Sequence, residues 1–372
     1  MTHHSIARAG TRPALLLAYP RRGEERRPEL AGQVDYVIGV DTQRDAHTAA
    51  AVDQVGGVVE GITVAASLQG SKELLGFARA TAPGQRLWAI EGTGLYGASL
   101  TRFLLAQGER VVEVERPGRP ARRRGKSDPL DALAAAREAL AGEHLAEPRA
   151  PGERAALQML LTLRRHVVKS KVQAIGLFKT LLVAAPDTVR ESLAPLSTIE
   201  QVRRAARLRE RKDVAEDASA IALKSLARRI LDLTAEAKEL EGRIGRLVAV
   251  LAPELLARPG VGALAGGGVF AAWSHAGRLR SEAAFASLGG VAPIPASSGK
   301  TKRYRLNRGG DRQLNYALHI IVLARLKCHP PTQAYAARRL AEGKTPREIR
   351  RCLKRYVSRE LFKLLEGSHK MP

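Results

Sequence analysis

The chain is poor in cysteine: Cys328 and Cys352 are the only two, and no paired C-x-x-C spacing occurs. That argues against a disulfide framework or a thiolate zinc site and fits a reducing compartment. Its nine histidines show no metal-ligand spacing either, and His47, His166 and His319 read as packing or surface residues. Aromatic residues are only 4% of the chain. No apolar run reaches the ~18–20 residues that cross a bilayer. The stretch ALLLAY at 14–19 is too short for a signal-peptide core and runs into two arginines. Acidic residues are scarce as well: 37 Asp+Glu face 61 Lys+Arg, a net charge of +24. Charge of that size on a chain without a membrane segment points to a polyanion as partner.

What is present organises into segments. The chain has 372 residues, enough for two or three domains. Residues 1–32 carry no periodicity and many Arg, Pro and Glu, and read as a disordered basic arm. VDYVIGV (34–40) is a β-branched run ending on Asp41, and 48–65 has a Gly-Gly turn in its middle, so the two predict a hairpin or meander. A helix over 71–82, a strand over 86–92 ending on Glu91, a helix over 95–108 and a strand over 110–115 follow. A basic loop (116–127) then leads into a helix over 129–141. Strands alternating with helices indicate an α/β domain with a partly parallel sheet, placed at 33–148.

Residues 153–184 predict one long basic amphipathic helix. From Leu223 through Leu226, Ile230, Leu233, Ala237, Leu240, Ile244 and Leu247 to Leu251 the apolar steps alternate between three and four. That is the seam of a coiled coil, or of a bundle helix whose partner is the preceding helix. The span 149–254 is therefore expected to be a helical linker, and 255–372 a mainly α C-terminal domain. The latter opens with Gly-rich RPGVGALAGGGVF, which resembles hairpin turns that approach phosphates through backbone N–H groups. It continues with 285–326 as loop then helix, and closes with a basic helix over 345–367.

Four carboxylates stand out by position. Asp41 and Glu91 each end a strand, and Asp128 and Asp131 lie three apart at a helix start, facing one side. Singly, each has an ordinary role: Asp128 as an N-cap before Pro129, Asp131 as a first-turn acid, the other two as turn residues. Together they would repel one another unless cations neutralise them. Oxygen ligands without His or Cys favour Mg²⁺ or Mn²⁺, which can activate an attacking oxygen and stabilise a leaving one at a phosphodiester. Strand, strand, helix pair is the order of an RNase H-like nuclease core. Arg119, Arg122, Arg123, Arg124 and Lys126 in the adjoining loop would hold a nucleic-acid backbone.

The stretches IGVDTQRDAHTAAAV, WAIEGTG, RRRGKSDPLDA, RPGVG and FASLGGVAPIPASSGKTKRYRLNRGGDRQLN resemble the DEDD transposases of the IS-one-ten type, a family that includes the Piv DNA invertases. The resemblance runs from about residue 34 to 365. It implies a RuvC-like fold for the first domain, an acidic metal-binding tetrad at Asp41, Glu91, Asp128 and Asp131, and a catalytic serine at Ser298, with Ser297 the alternative. A serine hydroxyl needs activation. Lys300, Lys302, Arg303, Arg305 and Arg308 would stabilise the charged phosphate. Gln43-Arg44 departs from the His-Lys expected there. The family further implies DNA as substrate, a structured guide RNA, a dimer or tetramer, and work in the bacterial cytoplasm at the nucleoid. A RuvC-like structure-selective endonuclease using water, and a catalytically silent nucleic-acid-binding protein, are the alternatives.

Overall fold

The computed structural model describes residues 33–114, 127–142, 145–297 and 304–368. The basic arm 1–32 and the loop arginines and lysine at 119–126 lie outside these residues. The chain divides into two compact units, 1–145 and 146–372.

In the first unit, strands β1 (Tyr36–Thr42), β2 (Ala46–Asp53) and β3 (Val58–Ala65) form the expected antiparallel meander. Helix α1 (Leu68–Thr81) leads to β4 (Arg86–Glu91), α2 (Ala98–Ala106) to β5 (Arg110–Val114), and α3 (Asp128–Ala141) closes the unit. The sheet order is β3-β2-β1-β4-β5, with β1/β4 and β4/β5 parallel, so β1 is central. β1, β2 and β4 are buried on both faces, as a covered sheet requires, while the edge strand β3 is largely exposed. One face, carrying Ile38, Val40, Ala51, Trp88 and Ile90, packs on Leu74 and Ala78 of α1 and Leu100 and Leu104 of α2. The other, carrying Val37, Val52, Leu87, Ala89 and Val112, packs on Ala135, Ala136 and Ala139 of α3. The alanines of α3 let it lie close to the sheet.

The second unit is mainly helical. Helix α4 (Glu153–Ala184) runs against α7 (Val214–Leu251), with α5 (Asp187–Leu193) and α6 (Thr198–Ala205) at their junction. Leu157 shares a core with Ile244 and Val248, Val167 with Ala237 and Leu240, and Phe178 with Leu223 and Ile230. These pairings run in opposite chain directions, so α4 and α7 are an antiparallel pair. The heptad seam is thus filled by the preceding helix of the same chain, the second of the two readings the spacing left open.

Helices α8 (Pro253–Leu256), α9 (Ala263–Trp273), α10 (Glu282–Leu288), α11 (Arg312–Cys328), α12 (Pro330–Ala341) and α13 (Pro346–Ser368) complete the unit. Their core around Trp273, Phe285, Leu314 and Leu361 is continuous with Leu157, Ile244 and Val248. The Gly-rich stretch is a turn only up to Gly262; its later glycines are helical, in α9. The turn is held from behind, where Arg325 Nε donates to the Pro259 carbonyl at 2.8 Å while its other nitrogens pair with Glu360 at 2.6 and 2.9 Å. Between α10 and α11, where only a loop was expected, β6 (Ile294–Pro295) and β7 (Tyr304–Arg305) pair antiparallel. Among the described residues, no helix is long and apolar enough to cross a membrane.

An internal ion pair locks the bottom of the sheet. Arg86 Nε and Nη2 donate to Glu109 at 2.8 and 2.5 Å, and Trp88 Nε1 adds a third bond at 2.9 Å. Burial pushes the Glu109 carboxyl up, but these bonds and the Arg86 charge outweigh it and hold the group below its ordinary value. A depressed carboxyl stabilises the fold above its unfolded pKa of 4.5 and loses that contribution as pH falls through the folded value. Glu109→Gln is therefore expected to destabilise the protein by about 3 kcal/mol at pH 7. In urea unfolding, the gap to wild type should close as pH drops below 4.5.

Candidate active site

Side chains alternate faces along a strand, so residues two apart share one. Val37 and Gly39 of β1 face α3, and Asp41 continues that row. Leu87 and Ala89 of β4 face α3, and Glu91 continues that row. The parallel register pairs Val40 with Ile90, which brings the two acid-bearing strand ends level. Thr42 Oγ1 donates to the Glu91 carbonyl at 2.7 Å and sews these ends together. Across β1, Asp41 pairs with Thr48, whose hydroxyl meets that of Thr63 at 3.0 Å, so polar side chains line this end of the α3 face.

Helix α3 delivers the remaining acids to the same end. A Cβ at Gly39 would stand 2.0 Å from the Ala132 carbonyl oxygen and 2.5 Å from the Ala136 nitrogen. The helix backbone therefore crosses directly over Gly39. Further along, Arg137 reaches the Gly56 carbonyl at 3.1 Å, beside the strand end where β1 begins. So α3 runs opposite to β1, and its first turn lies over the strand end that carries Asp41. Asp128 and Asp131 precede the buried Ala132 and Ala135 by four residues and share their face. Asp128 is not the N-cap that its place before Pro129 suggested. Ser127 takes that position, and Asp128 is the first helical residue.

The sheet and α3 thus bring all four sequence-identified acids to one end of one face. Asp41 is 7% exposed; the other three are half-buried. Gln43 Nε2 donates to Asp41 Oδ2 at 3.0 Å. Among the described residues, no three or more His, Cys, Asp or Glu side chains converge closely enough to hold a metal ion. The chemistry of the set, four carboxylates and no nitrogen or sulfur, suits a hard divalent cation. His47 lies opposite Thr42 in the register, on the other face from Asp41, and burial lowers its pKa while the nearby Asp41 charge works the other way.

The serine segment belongs to the second unit. Ser297 is exposed two residues beyond β6. Ser298, Lys300, Lys302 and Arg303 lie outside the described residues. Arg305, in β7, and Arg308 are exposed. The base of this hairpin is tightly specified. Gly310 has φ +92°, and a Cβ there would stand 2.4 Å from the Leu288 carbonyl oxygen. Asp311 caps α11, accepting from the Gln313 and Leu314 amides at 2.8 and 3.1 Å. Asn315 Nδ2 donates to the Gly289 carbonyl at 2.7 Å. The RGGD motif thus has a local structural reason: it fixes the frame from which the serine loop projects. Basic residues on α13 behind this frame, Arg351, Lys354 and Arg355, were missed in the sequence, where they were part of an undifferentiated basic helix.

Two family models match the chain, and the first runs across the boundary between the two units. Residues 38–185 match a DEDD-type IS110 model described as "Transposase", and residues 252–337 match one described as "Transposase IS116/IS110/IS902 family". The chain is 30% identical over 148 residues to a Streptomyces coelicolor protein described as "Insertion element IS110 uncharacterized 43.6 kDa protein". That match covers 39% of this chain and 36% of that protein. Together these findings support the IS110 family of insertion-sequence transposases.

Gly39→Ala is expected to cost about 3 kcal/mol or more, because the contact is with backbone that cannot step aside. Chemical denaturation should show the loss, and hydrogen exchange should localise it to the first turns of α3.

Proposed function

We propose that this chain is an insertion-sequence transposase that cuts and rejoins DNA through a phosphoserine link. The observation that carries the reading is the placement of Asp41, Glu91, Asp128 and Asp131 at one end of one sheet face. The order β3-β2-β1-β4-β5, with β1 antiparallel to β2 and parallel to β4, supports an RNase H-like, RuvC-like core. The match to a DEDD transposase domain supports dependence on a divalent metal. Mg²⁺, or Mn²⁺, held by the four carboxylates would polarise the phosphoryl oxygen and ease deprotonation of the attacking hydroxyl.

The rest is the work of the chain's own groups. The Ser298 hydroxyl, or that of Ser297, attacks phosphorus; the P–O bond to the leaving deoxyribose oxygen breaks. The serine gives its proton to solvent, and the leaving oxygen takes one up. A deoxyribose hydroxyl of the second strand then attacks the phosphoserine and releases the serine. Arg305, Arg308 and the basic residues Lys300, Lys302 and Arg303 stabilise the phosphate charge, and Arg119, Arg122, Arg123, Arg124 and Lys126 hold the backbone. The family resemblance adds a structured guide RNA and a homo-oligomer. With the heptad seam occupied by α4, that oligomer uses another surface.

The test is a denaturing gel of full-length protein incubated with Mg²⁺, RNA transcribed from the element's flanks and end-labelled donor DNA. A protein-linked DNA band is expected, and it should vanish in Ser298→Ala and in Asp131→Ala. Cleavage with no adduct would replace the serine by water and make the protein a RuvC-like endonuclease. An adduct surviving Ser298→Ala but lost in Ser297→Ala would move the nucleophile by one position.

A further inference from the structure

Helix α13 presents a second constellation behind the serine hairpin. Arg351 stands one helical turn before both Lys354 and Arg355. With Cys352 and Tyr356 they wall a cavity of about 340 Å³, closed on its other side by residues 290–293 and 304–307. β7 and the residue before β6 belong to that wall, so the strands that frame the serine loop also frame the cavity.

The cavity is cationic beyond what the fold requires. Among the described residues, Arg305 and Arg351 form no ion pair, and Lys354 donates to the neutral Asn315 Oδ1 at 3.0 Å. Arg355 pairs with Glu282 at 3.1 Å, yet its Nη1 is buried with no hydrogen-bond partner. Burial and the Arg351 charge pull the Lys354 ammonium below its ordinary value. Burial, Lys354 and Arg350 do the same to His319 on the neighbouring α11. Like charges three and four residues apart on a helix repel. Gathering them around a concave surface costs stability that an anion would restore.

Aromatic surface accompanies the charge. Tyr304 is 68% and Tyr356 51% exposed, at opposite walls of the cavity. Tyr356 is oriented from behind by Tyr335, the rings 5.6 Å apart at 88°. Open tyrosine rings beside unpaired cations are the means by which proteins hold unpaired nucleotides, through base stacking and phosphate contacts. A cavity of this size suits a single small group rather than a duplex.

We propose that this cavity binds one nucleotide of single-stranded DNA, its base against Tyr304 and Tyr356 and its phosphate on Arg305, Arg351 and Lys354. The choice of DNA rests on the reading of the adjoining serine loop as acting on DNA. Pro293 and β7, which wall the cavity, flank the serine segment in the chain, so a strand seated here is placed to set which phosphate the serine meets.

The experiment is fluorescence anisotropy of the full chain with a labelled single-stranded DNA of about 12 nucleotides, in EDTA, over a salt series. Arg351→Gln should weaken binding about tenfold and reduce the salt slope by about 0.7, the value of one phosphate contact on a single strand. Tyr356→Leu should weaken it roughly tenfold with the slope unchanged. Lys238→Gln, an exposed cation on α7, should leave binding as it is. Because a variant could misfold, 5-iodouracil photocrosslinking of the wild-type protein gives an independent readout, expected to label Tyr304 or Tyr356. Wild-type affinity in both cavity variants, or crosslinks elsewhere, would overturn the proposal. So would tighter binding of RNA or duplex DNA through the same residues. EDTA removes the metal chemistry, so the readouts separate: binding that needs Arg351 and Tyr356 alongside a gel without adduct sinks the recombination chemistry and leaves the cavity standing. The reverse pair of results sinks only the cavity.

Discussion

The close crossing of α3 over Gly39 is the constraint on which the first unit turns. A strand residue without a side chain lets a helix backbone sit where a Cβ would otherwise be. Four alanines on the facing side of α3 continue the fit. Because the crossing point lies only two residues before Asp41 and next to Ala132, it fixes strand end and helix start together. Small residues at the contact thus decide where carboxylates stand several ångströms away. The placement is set by this backbone contact and not by the acids.

The second unit solves the analogous problem with glycine and carbonyl contacts rather than alanine. Gly290 and Gly310 take left-handed backbone, and a Cβ at either would meet a carbonyl oxygen at 2.7 or 2.4 Å. Around that interlock stand Asp311, Asn307 and Asn315, each bonding backbone rather than solvent. The base of the β6–β7 hairpin is therefore anchored to the start of α11.

Much of this was legible in the sequence, and the limits have physical causes. Continuous apolar runs ending on Asp41 and Glu91 identified the strands and their terminal acids, because strands covered on both faces are apolar throughout. That both acids face α3 follows only from register and face parity, which a one-residue slip would reverse. The heptad spacing in α7 was plain, but apolar periodicity says that a partner exists and not which one. Only the packing of Phe178, Val167 and Leu157 reveals α4. The two-residue strands β6 and β7 are too short to leave a periodic signal. The cationic cavity joins residues some fifty positions apart, so no local window contains it. In α3 the sequence reading offered Asp128 as the cap before Pro129, and the backbone used Ser127 instead.

The antiparallel pairing of α4 and α7 has one further consequence. Between Leu223, in the core shared with α6, and Ile244, in the core shared with α9 and α11, helix α7 climbs about 30 Å at 1.5 Å per residue. The far end carries Arg203, Arg204, Arg207, Arg209 and Arg211 around one concave surface. The antiparallel pair therefore holds that arginine-lined surface and the core around Trp273 at a fixed separation along one rigid helix, inside a single unit.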